Sequence, residues 1–371
     1  MKKYIVAGAG ILGASTAYHL AKQGADVTIV DRNDAGQATE AAAGIVCPWL
    51  TKRVNSAWYH LVTEGARYYP ALIHELEEEG ETQTGYSKVG AINIFSKESM
   101  LNDKLALAKD RRKTVPEMGD ISKLSIEETQ ALFPPLSGEY AALHISGGAR
   151  VNGAALRDAL LRGAQKNGAE FIHSDAELLT ENGRVKGMTL GDQSIHYADH
   201  VLVTGGVWAK ELFASLGRTV QITSQKAQIV HLRLPDTDTS RWPVVMPPYG
   251  QYFLAFGQGK IVVGATQEND RKDTRVTMGG VHQVLEKALK VAPGFAECTY
   301  EETKTGFRPF TPGSLPVIGE VAGVKGLYAA NGLGASGLTS GPFLGKQLAK
   351  LAMGEKTEIN LDHYRITEAI Q

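Results

Sequence analysis

Tyr4-Ile-Val-Ala-Gly8-Ala-Gly10-Ile-Leu-Gly13 stands almost at the head of the chain. Tyr4 to Val6 is a short apolar run, the pattern of a parallel strand buried on both faces. Glycines follow at once, and a helical pattern starts inside them. Gly8 permits the tight turn out of the strand, Gly10 lets a pyrophosphate approach the backbone, and Gly13 lets the helix lie close to the sheet. The N–H groups at such a helix start lack intrahelical partners and face an anion. Ala17 and Leu20 continue the inward face, and Gly24 ends the helix. Val27-Thr-Ile29-Val30 reads as a second buried strand. Asp31 closes it, about 20 residues past the glycines, where a carboxylate meets a ribose hydroxyl.

The chain has 371 residues, long enough for two interleaved domains. Lys and Arg total 39 against 40 Asp and Glu, a balance that argues against a nucleic-acid partner or a charged membrane surface. Lys109, Arg111, Arg112 and Lys113 cluster and read as a solvated helix face. Cys47 and Cys298 have no CxxC spacing, so neither a zinc site nor a disulfide framework is indicated, and no metal is expected. The ten histidines show no ligand spacing. No signal peptide or transmembrane segment is visible, and a cytoplasmic protein with reduced thiols is expected.

Further along, Asp34 to Cys47 is rich in small residues, which lets something bulky pack against the backbone. Helical spacing runs over residues 55–82, 97–113, 150–170 and 279–292. Ser125-Ile-Glu-Glu128 has the form of a capping box. Asn182-Gly183 marks a hairpin turn. Asp199 to Val203 is a buried strand running into Gly205, Gly206 and Trp208, and it should return to the sheet beside the first strand. Residues 220–266 alternate like antiparallel strands, with a hairpin across Gly257-Gln-Gly259. Thr305-Gly306-Phe307-Arg308-Pro309 reads as a loop stiffened by proline. Gly334-Ala-Ser336-Gly337-Leu338-Thr339 opens a last helix that ends at Gly354.

Four of these stretches, Gly8 to Asp31, Thr39 to Val46, Val201 to Trp208, and Gly306 to Gly319 with the Gly334–Thr339 turn, together resemble the D-amino-acid-oxidase-like flavoproteins. The glycine oxidase and D-amino acid dehydrogenase branch is the most similar. The resemblance implies an α/β plus α+β fold. A discontinuous, doubly wound, Rossmann-like FAD-binding domain would comprise residues 1–85, 145–219 and 300–371. A substrate domain built on a mixed, mostly antiparallel sheet would comprise 86–144 and 220–299. It implies non-covalent FAD, since no cysteine follows the arginine motif. Gly8, Gly10, Ile11, Leu12 and Gly13 would hold the pyrophosphate, and Asp31 with Arg32 the adenosine ribose. Thr39, Ala43, Gly44 and Ile45 would line the pyrophosphate and the flavin edge. Ala176 would meet adenine, while Thr204, Gly205 and Trp208 would flank the cofactor. Gly334, Ser336, Gly337, Leu338 and Thr339 would face the pyrimidine side of the flavin.

Arg308 matches the family's carboxylate-binding arginine, also beside the cofactor, and Tyr252 a substrate-facing tyrosine; Tyr249 is a nearby rival. The implied activity is oxidation of glycine, a small D-amino acid or a secondary amine by hydride transfer from the substrate Cα to the flavin. The resulting imine would hydrolyse to a 2-oxo acid. Oxygen or another electron acceptor would be the second partner, and a homo-oligomer is compatible with the sequence. The alternative on the same fold is oxidation of a 2-hydroxy acid or a polyol phosphate. A nicotinamide dehydrogenase would leave the glycine-rich C-terminal turn unexplained, and a flavin-binding subunit would need a partner to complete its site.

Overall fold

Each residue of the first strand, Lys3–Ala7, is buried except Lys3, and successive side chains enter different cores. Tyr4 and Val6 point to one face of the sheet, where Leu12, Leu20, Leu72, Leu160 and Leu348 pack. Ile5 and Ala7 point to the other, with Val185, Met188, Val201 and Phe213. That two-sided burial is why the strand is an apolar run rather than an alternating one. The computed structural model describes residues 2–53, 55–248, 250–269 and 273–371.

The strand sits inside a six-stranded sheet. Its neighbours are Asp26–Asp31 and His200–Val203, both parallel to it. Glu170–His173 extends the sheet beyond the first and Leu327–Asn331 beyond the second, again in parallel. Val317–Glu320 closes one edge antiparallel. The helices Ile11–Lys22, Ser56–Glu78, Gly153–Lys166 and Gly337–Met353 pack on one face. A small three-stranded sheet, Ala176–Glu181, Arg184–Leu190 and Ile195–Tyr197, and the helix Ala209–Ala214 pack on the other. The chain thus leaves the first strand to one side and returns on the other, which opens a crevice at the strands' C-terminal ends.

A nine-stranded, mostly antiparallel sheet stands beside it. Only the pairing of Val244–Met246 with Ala91–Phe95 is parallel among the described residues. Its core is aromatic: Phe253 and Phe295 meet edge to face at 5.1 Å, and Phe133 lies 4.8 Å from Trp242. Burying side chains of this size contributes on the order of 2–3 kcal/mol each relative to exposure.

Local signals are realised where the chain itself supplies the partners. Ser125 Oγ accepts the Glu128 N–H while a Glu128 carboxylate oxygen accepts the Ser125 N–H, a complete capping box. Asn182 and Gly183 both take positive φ at the hairpin turn. Asn55 caps the helix Ser56–Glu78 through Trp58 N–H.

Two expectations need correction. Arg308 lies in no loop but near the end of a twelve-residue strand, Thr299–Phe310, paired along its length with Thr223–Arg233. That strand belongs to the nine-stranded sheet. Glycine and proline made the stretch look irregular, but an edge strand tolerates both. The cations near residue 110 are not all solvated. Arg111 stacks on Tyr59 at 4.6 Å and donates to the Trp49 and Thr51 carbonyls, and Arg112 donates to the Gly119 carbonyl.

Candidate active site

The crevice continues as a cavity of about 640 Å³, a size typical of cofactor sites. Its floor is the end of the parallel sheet: Ala7, Gly8, Val30, Asp31, Thr204 and Gly205. Its other end lies against the nine-stranded sheet, at Ala227, Ile229, Tyr252, Phe307 and Arg308. Among the described residues, those named from sequence all line this cavity except Gly13 and Ser336. Tyr249 falls outside the described residues.

Gly13 works from behind. A Cβ there would lie 1.8 Å from Gly8 O and 2.5 Å from Thr204 Oγ1, so only glycine lets the helix Ile11–Lys22 start this close to the turn. Gly8 itself has φ +107° and faces the Gly205 backbone. Thr204 Oγ1 donates to the Gly8 carbonyl at 2.8 Å, and Thr39 Oγ1 accepts from Ile11 N–H at 2.9 Å. Ser336 is buried with its hydroxyl turned toward the Leu333 carbonyl, at 2.8 Å, and the Trp58 indole N–H, at 3.2 Å. It braces the turn before the last helix and does not face the cavity.

The Asp31 carboxylate accepts three hydrogen bonds: from Ala9 N–H at 2.6 Å, Asn33 N–H at 2.6 Å and the Gln37 amide at 3.0 Å. A carboxylate offers about four acceptor positions, so one direction stays available for a hydroxyl donor. Arg32, next to it, is tied to Asp34 at 2.6 Å, Glu211 at 2.6 Å and Asp175 at 3.3 Å. Its charge is therefore committed to the protein, and it shapes the cavity wall.

The opposite end has different chemistry. Among the described residues, the titratable side chains lining it are Tyr252 and Arg308; Asp31, Arg32, Asp34, Asp175, Glu177 and Glu211 belong to the Asp31 end. Burial pushes the Tyr252 hydroxyl up to about 12, with the Arg308 guanidinium beside it opposing the shift. Tyr252 therefore stays protonated at neutral pH; its oxygen accepts from the Arg308 guanidinium, which leaves its O–H to donate to a ligand. Arg308 donates Nη1–H to the Gln225 amide oxygen at 3.1 Å. No carboxylate among the described residues pairs with it, so the cavity holds an uncompensated cation at this end. Cys47 is buried, and burial pushes its thiol up to about 12; it is a packing residue, not a nucleophile. Among the described residues no cluster of three histidine, cysteine or acidic side chains could hold a metal. No described helix is long and apolar enough to cross a membrane.

Sequence reading missed several contributors. Gln37 holds Asp31, and Phe307 presents its edge to Trp208 with centroids 6.4 Å apart. Asn331 bridges the Gly206 carbonyl and the Gly332 N–H. Phe307 sits inside a stretch already singled out and Asn331 just before another, so proximity to a motif was their only signal. Gln37 lies in the small-residue stretch Asp34 to Cys47, six residues past Asp31, whereas Gln225 depends on tertiary register and leaves no local trace.

The residues present suit an FAD. A glycine turn meets a helix N-terminus where a pyrophosphate would lie, and a fixed carboxylate stands at the ribose end. The broad far end is roofed by a second sheet. Comparison with known proteins agrees. Residues 3–351 match the family described as FAD dependent oxidoreductase. An uncharacterised oxidoreductase of Bacillus subtilis, YurR, is 58% identical across 98% of both chains. A glycine oxidase of Pseudomonas aeruginosa is 29% identical across 97% of both. The crystal structure of iminodiacetate oxidase from Chelativorans sp. BNC1 superposes with a TM-score of 0.95, at 45% identity and 98% coverage of both chains. The chain belongs to this D-amino-acid-oxidase family of FAD-dependent oxidoreductases.

Proposed function

We propose that the protein oxidises a small amine bearing a carboxylate: glycine, a small D-amino acid, or a secondary amine of the iminodiacetate kind. The observation that carries this is the Arg308 guanidinium, inside the cavity with a neutral amide on one edge and no acidic partner among the described residues. A cation so placed is costly unless a ligand supplies the anion. Guanidinium binds a carboxylate through a two-pronged fork, which fixes direction as well as affinity. The names of the glycine and iminodiacetate oxidases support the same substrate class.

FAD, when bound non-covalently in the cavity, supplies the acceptor for a hydride from the substrate Cα. The protein positions the substrate. Arg308 holds the carboxylate, so that the Cα–H bond next to it takes one orientation. Tyr252 donates a hydrogen bond and closes one side of the pocket. No described carboxylate or imidazole lines this end, so the amine has to enter with its nitrogen lone pair free. As the hydride leaves Cα, that lone pair forms the C=N bond, and the nitrogen's positive charge is discharged by loss of its proton to solvent. Water then adds across the imine and releases a 2-oxo acid and an amine. Oxygen or another electron acceptor would take up the two electrons released by the substrate.

Product analysis tests this reading. Incubation with iminodiacetate or glycine should yield glyoxylate in step with consumption of the acceptor. Turnover of 2-hydroxy acids or polyol phosphates with amines inert would overturn it.

A further inference from the structure

Three adjacent strands carry three polar side chains in register on one side of the sheet. Arg308 of Thr299–Phe310 lies opposite Gln225 of Thr223–Arg233, and Gln225 lies opposite Asn269 of Glu268–Asn269. The side chains join across the strands. Arg308 Nη1–H donates to Gln225 Oε1 at 3.1 Å, and Gln225 Nε2–H donates to Asn269 Oδ1 at 2.9 Å. The orientation of the Gln225 amide follows from its neighbours. Guanidinium has only donors, so the amide must turn its oxygen toward Arg308 and its NH2 toward Asn269.

This contact does two things a carboxylate could not do together. It occupies one of five guanidinium N–H groups and so limits where the fork can point. It also leaves the positive charge whole, because an amide oxygen brings no net charge. The lining residues Ala227 and Ile229 follow Gln225 at the alternating positions of the same strand, so the amide stands at the edge of the pocket wall.

We propose that Gln225, braced by Asn269, is the positioning residue that sets this enzyme's preference for acids. It aims Arg308 into the cavity and keeps it un-neutralised, so that the substrate's own carboxylate completes the ion pair. A carboxylate at position 225 turns the guanidinium inward, fills the fork, and leaves a pocket that tolerates only neutral ligands. The inference rests on the reading of Arg308 as the substrate's anchor.

The test uses the full-length, FAD-loaded protein and two small non-reacting probes, acetate and acetamide, titrated while the visible flavin spectrum is followed. Wild type should bind acetate at least about tenfold more tightly than acetamide, as a charge-assisted pair requires. Gln225→Met removes the aiming bond but not the charge, and should weaken acetate by roughly 3- to 10-fold. Gln225→Glu should weaken acetate by ~100-fold while acetamide binding is unchanged. The change in the acetate-to-acetamide ratio is what a merely structural role would not produce. Equal weakening of both probes in Gln225→Glu, or acetate binding in that variant as tight as in wild type, overturns the role of Gln225. A wild type with no preference for acetate overturns the reading of Arg308 itself.

Discussion

At Arg308, one amide, one buried phenol and an open cavity surround a guanidinium. Its replacement removes charge and fork together. Arg308→Ala should raise KM for carboxylate-bearing amines by roughly 10- to 100-fold, the loss expected for hydrogen bonds between charged groups. Bound FAD should stay, because Asp31, the glycine turn and the first helix hold the far end of the cavity. Steady-state kinetics alongside the flavin-to-protein absorbance ratio would check both; an unchanged KM would remove Arg308 from substrate binding. That Asp31 and Arg308 line the cavity was legible from sequence because each sits in a short motif. Gln225 was not. Nothing within several residues of it hints at a ligand, and its importance arises only when the register sets it opposite Arg308.

At the level of elements, the first helix depends on two close approaches. A Cβ on Gly13 would strike the Gly8 carbonyl, which is backbone and has nowhere to move. Gly13→Ala should therefore cost about 1–3 kcal/mol of stability and lower FAD retention, measured by urea unfolding and flavin content. Wild-type stability with full flavin would contradict the packing described. The second approach is the junction of the helices Ile11–Lys22 and Ser56–Glu78. His19 Nδ1–H donates to the Ser15 carbonyl at 2.6 Å, and Nε2 accepts from the Tyr68 hydroxyl at 2.6 Å. Burial pulls the imidazole down from 6.5 to about 4, so it is neutral in the folded chain. A folded value below the unfolded one means that protons favour the unfolded chain between the two. The contribution is complete above pH 6.5 and is lost as pH falls toward about 4, on the order of 3 kcal/mol across that window. Urea midpoints of His19→Gln should show a shallower acid limb than wild type; superimposable limbs would exclude His19 as the cause. Helix and strand boundaries were largely readable because periodicity and caps are local, as at Ser125 and Asn55. The Arg308 strand was the exception. Its glycine and proline carry loop signals, and only the long pairing with Thr223–Arg233 overrides them.

For the whole molecule, the arrangement places a glycine turn and a fixed carboxylate at one end of a cavity and, at the other, a cation with no carboxylate partner among the described residues. The parallel sheet was visible in sequence as two-sided apolar runs bounded by glycine. The relation between the two sheets was not, because the pairing of Thr299–Phe310 with Thr223–Arg233 joins segments far apart in the chain. That pairing sets Arg308 in the wall of the cavity that begins at the ends of the parallel strands. Residues of both sheets thereby line one cavity. The most direct measurement is anaerobic mixing of the FAD-loaded protein with iminodiacetate, glycine and small D-amino acids, with the flavin absorbance followed in wild type and Arg308→Ala. Rapid bleaching by at least one of these amines, slowed in the variant at equal substrate concentration, is the predicted result. A wild-type flavin that stays oxidised with every amine, or one that bleaches equally fast without Arg308, would contradict it.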